Sequence, residues 1–233
     1  NAYQDTHQRK RRIILISKFL IVFIVSYLLG SVDFGIIISN LVYHKDVRQC
    51  GSGNAGTTNM LRTYGKKAAA MTVIGDFLKG TVSVLFARHM FAISTLEYIE
   101  GMPDGATIGE IACYIAVLGA LLGHLYPIYF KFKGGKGVAT GTGAMLRASP
   151  IPTLFAMVIF FAVAAASRIV SLASITASVG FLIGTLLYFK FTHTFSVPAL
   201  ISAIVIPGII IYAHRSNIKR LLNGTEYKFD KKK

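Results

Sequence analysis

Three polar clusters interrupt an otherwise apolar chain of 233 residues, and each carries side chains suited to holding an anion. The first runs from Asp46 to Arg62 and contains Gly51-Ser52-Gly53-Asn54-Ala55-Gly56-Thr57-Thr58-Asn59. Small residues with free N–H groups, interleaved with hydroxyls and amides and closed by an arginine, can build an anion-binding concavity. The second, Gly123-His124 through Gly134-Gly135-Lys136-Gly137-Val138-Ala139-Thr140, places three glycines around one lysine where a short helix should begin. Helix N-terminal amides with an ammonium group suit a phosphate, although a flexible hairpin with an interfacial lysine has the same composition. In the third, Tyr212 to Leu221, His214 and Asn217 are spaced i, i+3 and share a helix face. Positive charge at a membrane-helix end explains Arg215, Lys219 and Arg220 equally well, but not Asn217.

Other chemistries are excluded by context. Gly51-x-Gly53-x-x-Gly56 matches the dinucleotide fingerprint literally, with Asp76 downstream, but no βαβ unit surrounds it, and no Gly-Lys-Ser/Thr follows to make a Walker A loop. No H-E-x-x-H, acidic metal cluster or G-x-S-x-G is present. Cys50 and Cys113 fit no metal or redox spacing. No metal or cofactor is expected.

The elements that must position these clusters are membrane helices. Apolar residues make up 53% of the chain against 15% charged, where a soluble domain carries about 25% charged residues. Charge-poor runs of spanning length recur: Ile13 to about Val42, Ala68–Ser94, Ile111–Phe130, Pro150–Ser167, Ile169–Phe189 and Phe195–Ala213. The first reads as one retained helix. It follows Arg9-Lys10-Arg11-Arg12 as a signal peptide would, but it is too long for a cleaved h-region and no Ala-x-Ala site follows. The segment Gly137–Ser149 is short for a crossing and is tolerable at membrane depth only when surrounded by other helices. The net charge of +15 suits cytoplasmic loops and anionic substrates; the basic residues lie between apolar runs rather than along one face, so nucleic acid is not expected as a partner.

With the basic loop Tyr43–Lys67 placed in the cytoplasm, the acidic loop Leu96–Glu110 is external. If Gly137–Ser149 crosses, seven crossings put most of the 25 Lys and Arg inside, the three polar clusters among them. The expected fold is therefore all-α: a polytopic membrane protein of seven transmembrane helices, one of them the short helix after the Gly-Gly-Lys-Gly loop. Residues 1–12 form a basic, external N-terminal arm, 13–213 the transmembrane domain and 214–233 a basic cytoplasmic tail. The external arm contradicts the positive-inside rule.

Within the spans, Ser171 and Ser174 begin one crossing, where a serine ordinarily bonds its own helix backbone. Asp76 and Lys79, also i, i+3, read equally as a neutralising structural pair and as functional intramembrane charges. His124 beside Pro127 reads as a packed, hydrogen-bonded histidine. Asp33 is an unpaired acid near a membrane end. Anion sites on one face of a bundle with greasy walls suit a substrate with a phosphate head and a fatty tail. A transporter of organic phosphates would share helix-end anion sites, but its site belongs at the midplane and no inverted repeat shows. A scaffold with lipid-binding basic loops does not account for the glycine–amide–hydroxyl texture.

The three clusters, in order and spacing, resemble the bacterial acyl-phosphate:glycerol-3-phosphate acyltransferases of the PlsY family. The match rests on Gly51 to Asn59 with Arg62, Gly123 to Pro127 with Gly134 to Thr140, and His214 to Asn217 with Arg220, Leu221, Gly224 and Glu226, and it covers about residues 20–229. Asp33, and Thr57 within Gly56-Thr57-Thr58-Asn59, depart from the family's usual residues without touching a position given a role. The resemblance implies an acyltransferase of the bacterial cytoplasmic (inner) membrane that moves a fatty acyl group from acyl phosphate to the 1-hydroxyl of sn-glycerol 3-phosphate, giving lysophosphatidic acid and phosphate, with its active site at the cytoplasmic face and no cofactor. An acyl-phosphate donor leaves room for coupling to an enzyme that supplies it. The implied catalytic residues are Ser52, Arg62, Lys136, Ser174, His214 and Asn217, and Gly51, Gly53, Asn54, Asn59, Gly134, Gly135 and Lys79 stand beside them as substrate-binding candidates. His-x4-Asp, the pairing of acyl-CoA-dependent enzymes, occurs at none of the six histidines.

Overall fold

The computed structural model describes residues 2–91 and 108–229, and among these the chain is helical, with no strand. Ten helices follow one another: α1 (Ala2–Gly30), α2 (Phe34–Tyr43), α3 (Thr57–Tyr64), α4 (Lys66–Met90), α5 (Ile108–Leu125), α6 (Val138–Ala148), α7 (Pro150–Ser167), α8 (Val170–Thr192), α9 (Val197–Ala213) and α10 (Arg215–Leu222). Single 3-10 turns, Val47–Gln49 and Ile128–Phe130, lie in the loops after α2 and α5.

Among the described residues five segments are long and apolar enough to cross a bilayer: Arg12–Tyr43, Lys66–Met90, Ile108–Phe130, Pro150–Ser167 and Val170–Thr192. Helices α9 and α10, bent by 62° about His214, make a sixth if taken together. The outward faces of these helices are greasy: Ile16, Val158 and Phe191 are each more than 60% exposed, as lipid-facing side chains should be. The expected short helix is present as α6. Its 11 residues rise only about 16 Å, so by length it does not count as a span.

Close backbone contact holds α6 among longer helices. A Cβ on Gly80 of α4 would fall 2.1 Å from the Thr140 carbonyl oxygen, and one on Gly143 of α6 would fall 2.1 Å from that of Phe77. The two helices thus meet backbone to backbone, the small-residue packing that drives association where lipid offers no hydrophobic gain. Helices α1 and α5 repeat the device through Gly30 and Gly123, where an added Cβ would meet the Ala120 and Tyr27 carbonyl oxygens at 2.2 Å.

The first apolar run is broken rather than continuous. It divides at Ser31–Asp33, and the Asp33 carboxylate caps α2 by accepting from the Ile36 N–H at 3.1 Å. The acid without a function is a helix cap, and it is fully buried. The acidic loop expected after α4 lies outside the described residues except for Ile108, Gly109 and Glu110, which open α5, and Glu110 accepts from the Ser196 hydroxyl at 2.7 Å. Ser196 caps α9, where Pro198 occupies the first turn.

Candidate active site

The loop between α2 and α3 is organised by its own polar side chains. Asp46 accepts from the Arg48 backbone N–H at 2.9 Å and pairs with the Arg48 guanidinium at 2.7 Å. That partner's hydrogen bond holds the Asp46 carboxyl below its usual range. Arg48 also donates to the Phe130 and Lys133 carbonyls at 2.9 and 3.0 Å, tying the first polar cluster to the second. Asn59, expected to bind substrate, is the buried keystone of its loop and also lines the cavity described below. Its Nδ2 donates to the Val47, Cys50 and Asn54 carbonyls, while its Oδ1 accepts from the Ser52 N–H at 2.9 Å. Gly51 and Gly53, at φ +57° and +72°, allow the tight path around it, and the Gly53 N–H is spent on the Cys50 carbonyl at 3.0 Å. Asn54 accepts from the Gly56 N–H at 3.0 Å in an Asx turn and still lines the cavity.

The second cluster rests on a buried charge network. The Lys79 ammonium meets Asp76 Oδ1 at 2.8 Å, donates to the Val32 carbonyl at 2.8 Å and reaches His124 Nδ1 at 2.9 Å. The ammonium is thus enclosed by the protein's own groups, and Lys79 is absent from the lining of the cavity described below. Lys79, expected to bind substrate, is in this structure the cation of a buried network. Because Lys79 donates, His124 Nδ1 accepts and Nε2 carries the ring proton. Gly135 lies directly against that ring, since a Cβ there would fall 2.2 Å from Nε2. The Gly135 and Gly134 N–H groups donate to the His124 and Leu125 carbonyls, both at 3.2 Å. Both amides, expected to bind substrate, are thus bonded within the protein. Their part is to carry the chain past His124 so that Lys136 projects into the cavity.

The cationic centre therefore lies on side chains rather than on loop amides. Ser52, Arg62, Lys136, Ser174, His214 and Asn217 come from five separate parts of the chain, and all six line one cavity of about 480 Å³. The Lys136 ammonium donates to Asn217 Oδ1. Asn217 Nδ2 donates to Glu226 at 2.9 Å, and Arg220 Nε donates to the same carboxylate at 2.7 Å. This chain of bonds fixes the Asn217 amide with its oxygen toward Lys136. Burial opposes ionisation of Glu226, but hydrogen bonds from Asn217 and Arg220 outweigh it and hold its carboxyl below the ordinary range. His214 Nδ1 donates to the Ile210 carbonyl at 2.8 Å, leaving Nε2 as the ring nitrogen without a backbone partner. The Ser174 hydroxyl donates to the Val170 carbonyl at 2.9 Å, ordinary serine behaviour that leaves its lone pairs at the cavity wall. Arg62 stacks on the Tyr227 ring, its guanidinium carbon 3.9 Å from the centroid, and its buried Nε has no protein partner.

Glu226 and Tyr227 were missed as functional candidates. The pattern Gly224-x-Glu226 was visible in the sequence, but nothing local shows that the tail folds back onto the site. Away from the charged end the cavity is walled by Met145, Met157, Phe160, Phe161, Phe181 and Ile206. Among the described residues no three His, Cys, Asp or Glu side chains gather to hold a metal ion.

This division of one cavity into a cationic end and a greasy body agrees with the family comparison, in which the glycerol-3-phosphate acyltransferase model matches residues 20–224. The chain belongs to that family. It is 41% identical over 221 residues to a glycerol-3-phosphate acyltransferase of Clostridioides difficile, covering 94% of this chain and 98% of the relative. The Aquifex aeolicus glycerol-3-phosphate acyltransferase is 40% identical over 211 residues, 91% of this chain and 98% of the relative. Crystal structures of PlsY, an integral membrane glycerol 3-phosphate acyltransferase, share the fold. The glycerol 3-phosphate form superposes with a TM-score of 0.76 at 40% identity over 91% of this chain and 96% of the other, and the lysophosphatidic acid form with 0.73 at 38% over 91% and 95%. Like them, the chain is a multi-pass integral membrane protein of the PlsY family.

Proposed function

We propose that the cavity transfers a fatty acyl group from acyl phosphate to the 1-hydroxyl of sn-glycerol 3-phosphate, releasing lysophosphatidic acid and phosphate. The observation that carries this reading is the continuity of the Arg62–Lys136–His214 end with apolar walls. One cavity offers charge to two phosphates and grease to an acyl chain. The relatives' names supply glycerol 3-phosphate as acceptor. The donor is taken from the family resemblance, and the chemistry is consistent with it: a mixed anhydride is already activated, and its leaving group is an anion that this cationic end stabilises.

Two phosphates repel strongly where the dielectric is low, and Arg62 with Lys136 offsets that repulsion. Arg62, with its in-plane edge unspent, suits a bidentate contact. The glycerol hydroxyl oxygen attacks the acyl carbon, the tetrahedral oxyanion collapses, and the acyl–oxygen bond to phosphate breaks. The hydroxyl proton passes to an oxygen of the departing phosphate, so the reaction balances without a protein base. His214, anchored through Nδ1, orients phosphate. Ser52, Ser174 and Asn217 supply neutral hydrogen bonds, and positioning with electrostatic stabilisation of the oxyanion supplies the catalysis. The polar end belongs at the cytoplasmic face of a bacterial inner membrane, with α6 counted as the seventh crossing.

The test uses purified protein, labelled glycerol 3-phosphate, and either palmitoyl phosphate or palmitoyl-CoA without added metal. Lysophosphatidic acid should form from palmitoyl phosphate alone, and equal product from palmitoyl-CoA would overturn the donor assignment.

The same assay run against pH carries a second expectation. Burial pushes the Lys136 ammonium down to about 8 from its ordinary 10.5, with Arg220 adding to the effect. Below that value Lys136 is charged and above it neutral, so kcat/KM should fall as pH rises through about 8, since this parameter reports the free enzyme. A bound phosphate favours the ammonium, so the corresponding fall in kcat should lie at higher pH. An activity limb near neutrality that disappears in His214→Gln would mean that His214 is the base after all.

A further inference from the structure

The tail after α10 is pinned to the protein at three points. Gly224, at φ +68°, reverses the chain, and the Thr225 N–H closes the helix end on the Arg220 carbonyl at 2.8 Å. Glu226 is held by Asn217 and Arg220, and the Phe229 N–H donates to the Arg168 carbonyl at 2.9 Å, in the turn between α7 and α8. Between these anchors the Tyr227 ring lies over Arg62 of α3 and lines the cavity. A strap of six residues thus crosses from α10 to the α7–α8 turn, with its aromatic side chain on the site's arginine.

Stacking differs in consequence from ion pairing. Arg48 and Arg220 are fixed by Asp46 and Glu226, and a carboxylate that orients an arginine also neutralises it. Among the described residues no salt bridge involves Arg62. A ring over the guanidinium restrains its plane while leaving the in-plane N–H edge and the full charge for an anion. The buried Arg62 Nε without a protein partner is such an unspent edge.

We propose that Tyr227 is a positioning residue for substrate binding: its ring clamps Arg62 so that the guanidinium edge is presented to a substrate phosphate. The inference rests on the acyl-transfer reading for the identity of the phosphate. Its test compares the full-length wild-type protein, Tyr227→Ala and Tyr227→Phe. Steady-state kinetics on both substrates would be accompanied by calorimetric titration with sn-glycerol 3-phosphate alone.

Tyr227→Ala should raise KM for one of the two substrates about 2- to 30-fold, the range of a partly desolvated cation–π contact, with kcat little changed. The substrate affected identifies the phosphate that Arg62 holds. Tyr227→Phe, which keeps the ring, should behave as wild type. In an Arg62→Ala background Tyr227→Ala should cause no further loss of glycerol 3-phosphate binding or activity, because both changes remove the same interaction. Unchanged KM for both substrates in Tyr227→Ala overturns the proposal, as does a Tyr227→Phe defect equal to that of Tyr227→Ala. If Tyr227→Ala does not purify, Tyr227→Leu preserves bulk without a π face and is read in the same way. A wild-type protein that makes no lysophosphatidic acid but binds glycerol 3-phosphate more tightly than Tyr227→Ala would sink the acyl-transfer reading and support the clamp. Equal binding by the two proteins, together with inactivity, would sink both.

Discussion

Lys136→Ala and Arg62→Ala should each remove at least about 2–4 kcal/mol of transition-state stabilisation, a loss of some 30- to 1,000-fold in kcat/KM. The structure gives the reason for both. Lys136 is held by a neutral amide, Asn217 Oδ1, and Arg62 by a ring, so neither positive charge is spent on a protein carboxylate. Removing either leaves two phosphates facing one another across a half-buried cavity with one fewer counter-charge. Lys136→Arg should recover part of the activity by keeping the charge, but not all of it, because a planar fork cannot reproduce the ammonium's contact with Asn217. Turnover at the wild-type rate in either alanine variant would remove that residue from the reaction.

The second large effect is expected away from the cavity and on stability. Lys79→Met leaves the Asp76 carboxylate buried without its cation, along with an unfilled Val32 carbonyl and an acceptor nitrogen on His124. Breaking a buried pair by removing one partner costs about 3–5 kcal/mol. The variant should therefore purify in low yield with a much lower melting temperature in detergent. The double change Lys79→Met with Asp76→Asn should recover part of the loss by removing the stranded charge. The network supports His124, and His124 supports the Gly134–Gly135 backbone, so what activity survives should show a raised KM for a phosphate substrate. A Lys79→Met protein as stable as wild type but inactive would return Lys79 to the substrate.

Helix positions were largely readable because they depend on local composition. Runs expected at Ala68–Ser94, Ile169–Phe189 and Phe195–Ala213 appear as α4 (Lys66–Met90), α8 (Val170–Thr192) and α9 (Val197–Ala213). The break at Ser31–Asp33 was not foreseen, because Asp33 reads as a stray charge until its carboxylate is seen on the Ile36 N–H. Glycines were the least readable residues. Those of the loops suggested a phosphate cradle, yet Gly53, Gly134 and Gly135 all give their N–H groups to protein carbonyls. Gly80 and Gly143, which drew no attention in the sequence, let α4 and α6 touch.

Amino-acid types and spacing by themselves determined that this chain is a helical membrane protein, where most of its helices lie, and which polar clusters carry groups suited to a phosphate; the choice of six site residues came from the family resemblance. These properties follow from apolar run length and from the chemistry each side chain carries wherever it is placed. Only the tertiary structure decided which polar groups were already spent. A hydrogen-bonding group satisfies its valence with whatever packing brings near, and those partners are distant in sequence: Asn217 lies 81 residues from Lys136, and His124 lies 45 from Lys79. Packing turned Lys79 into a buried structural cation and Asn59 into a loop keystone, and it brought the tail's Tyr227 onto Arg62.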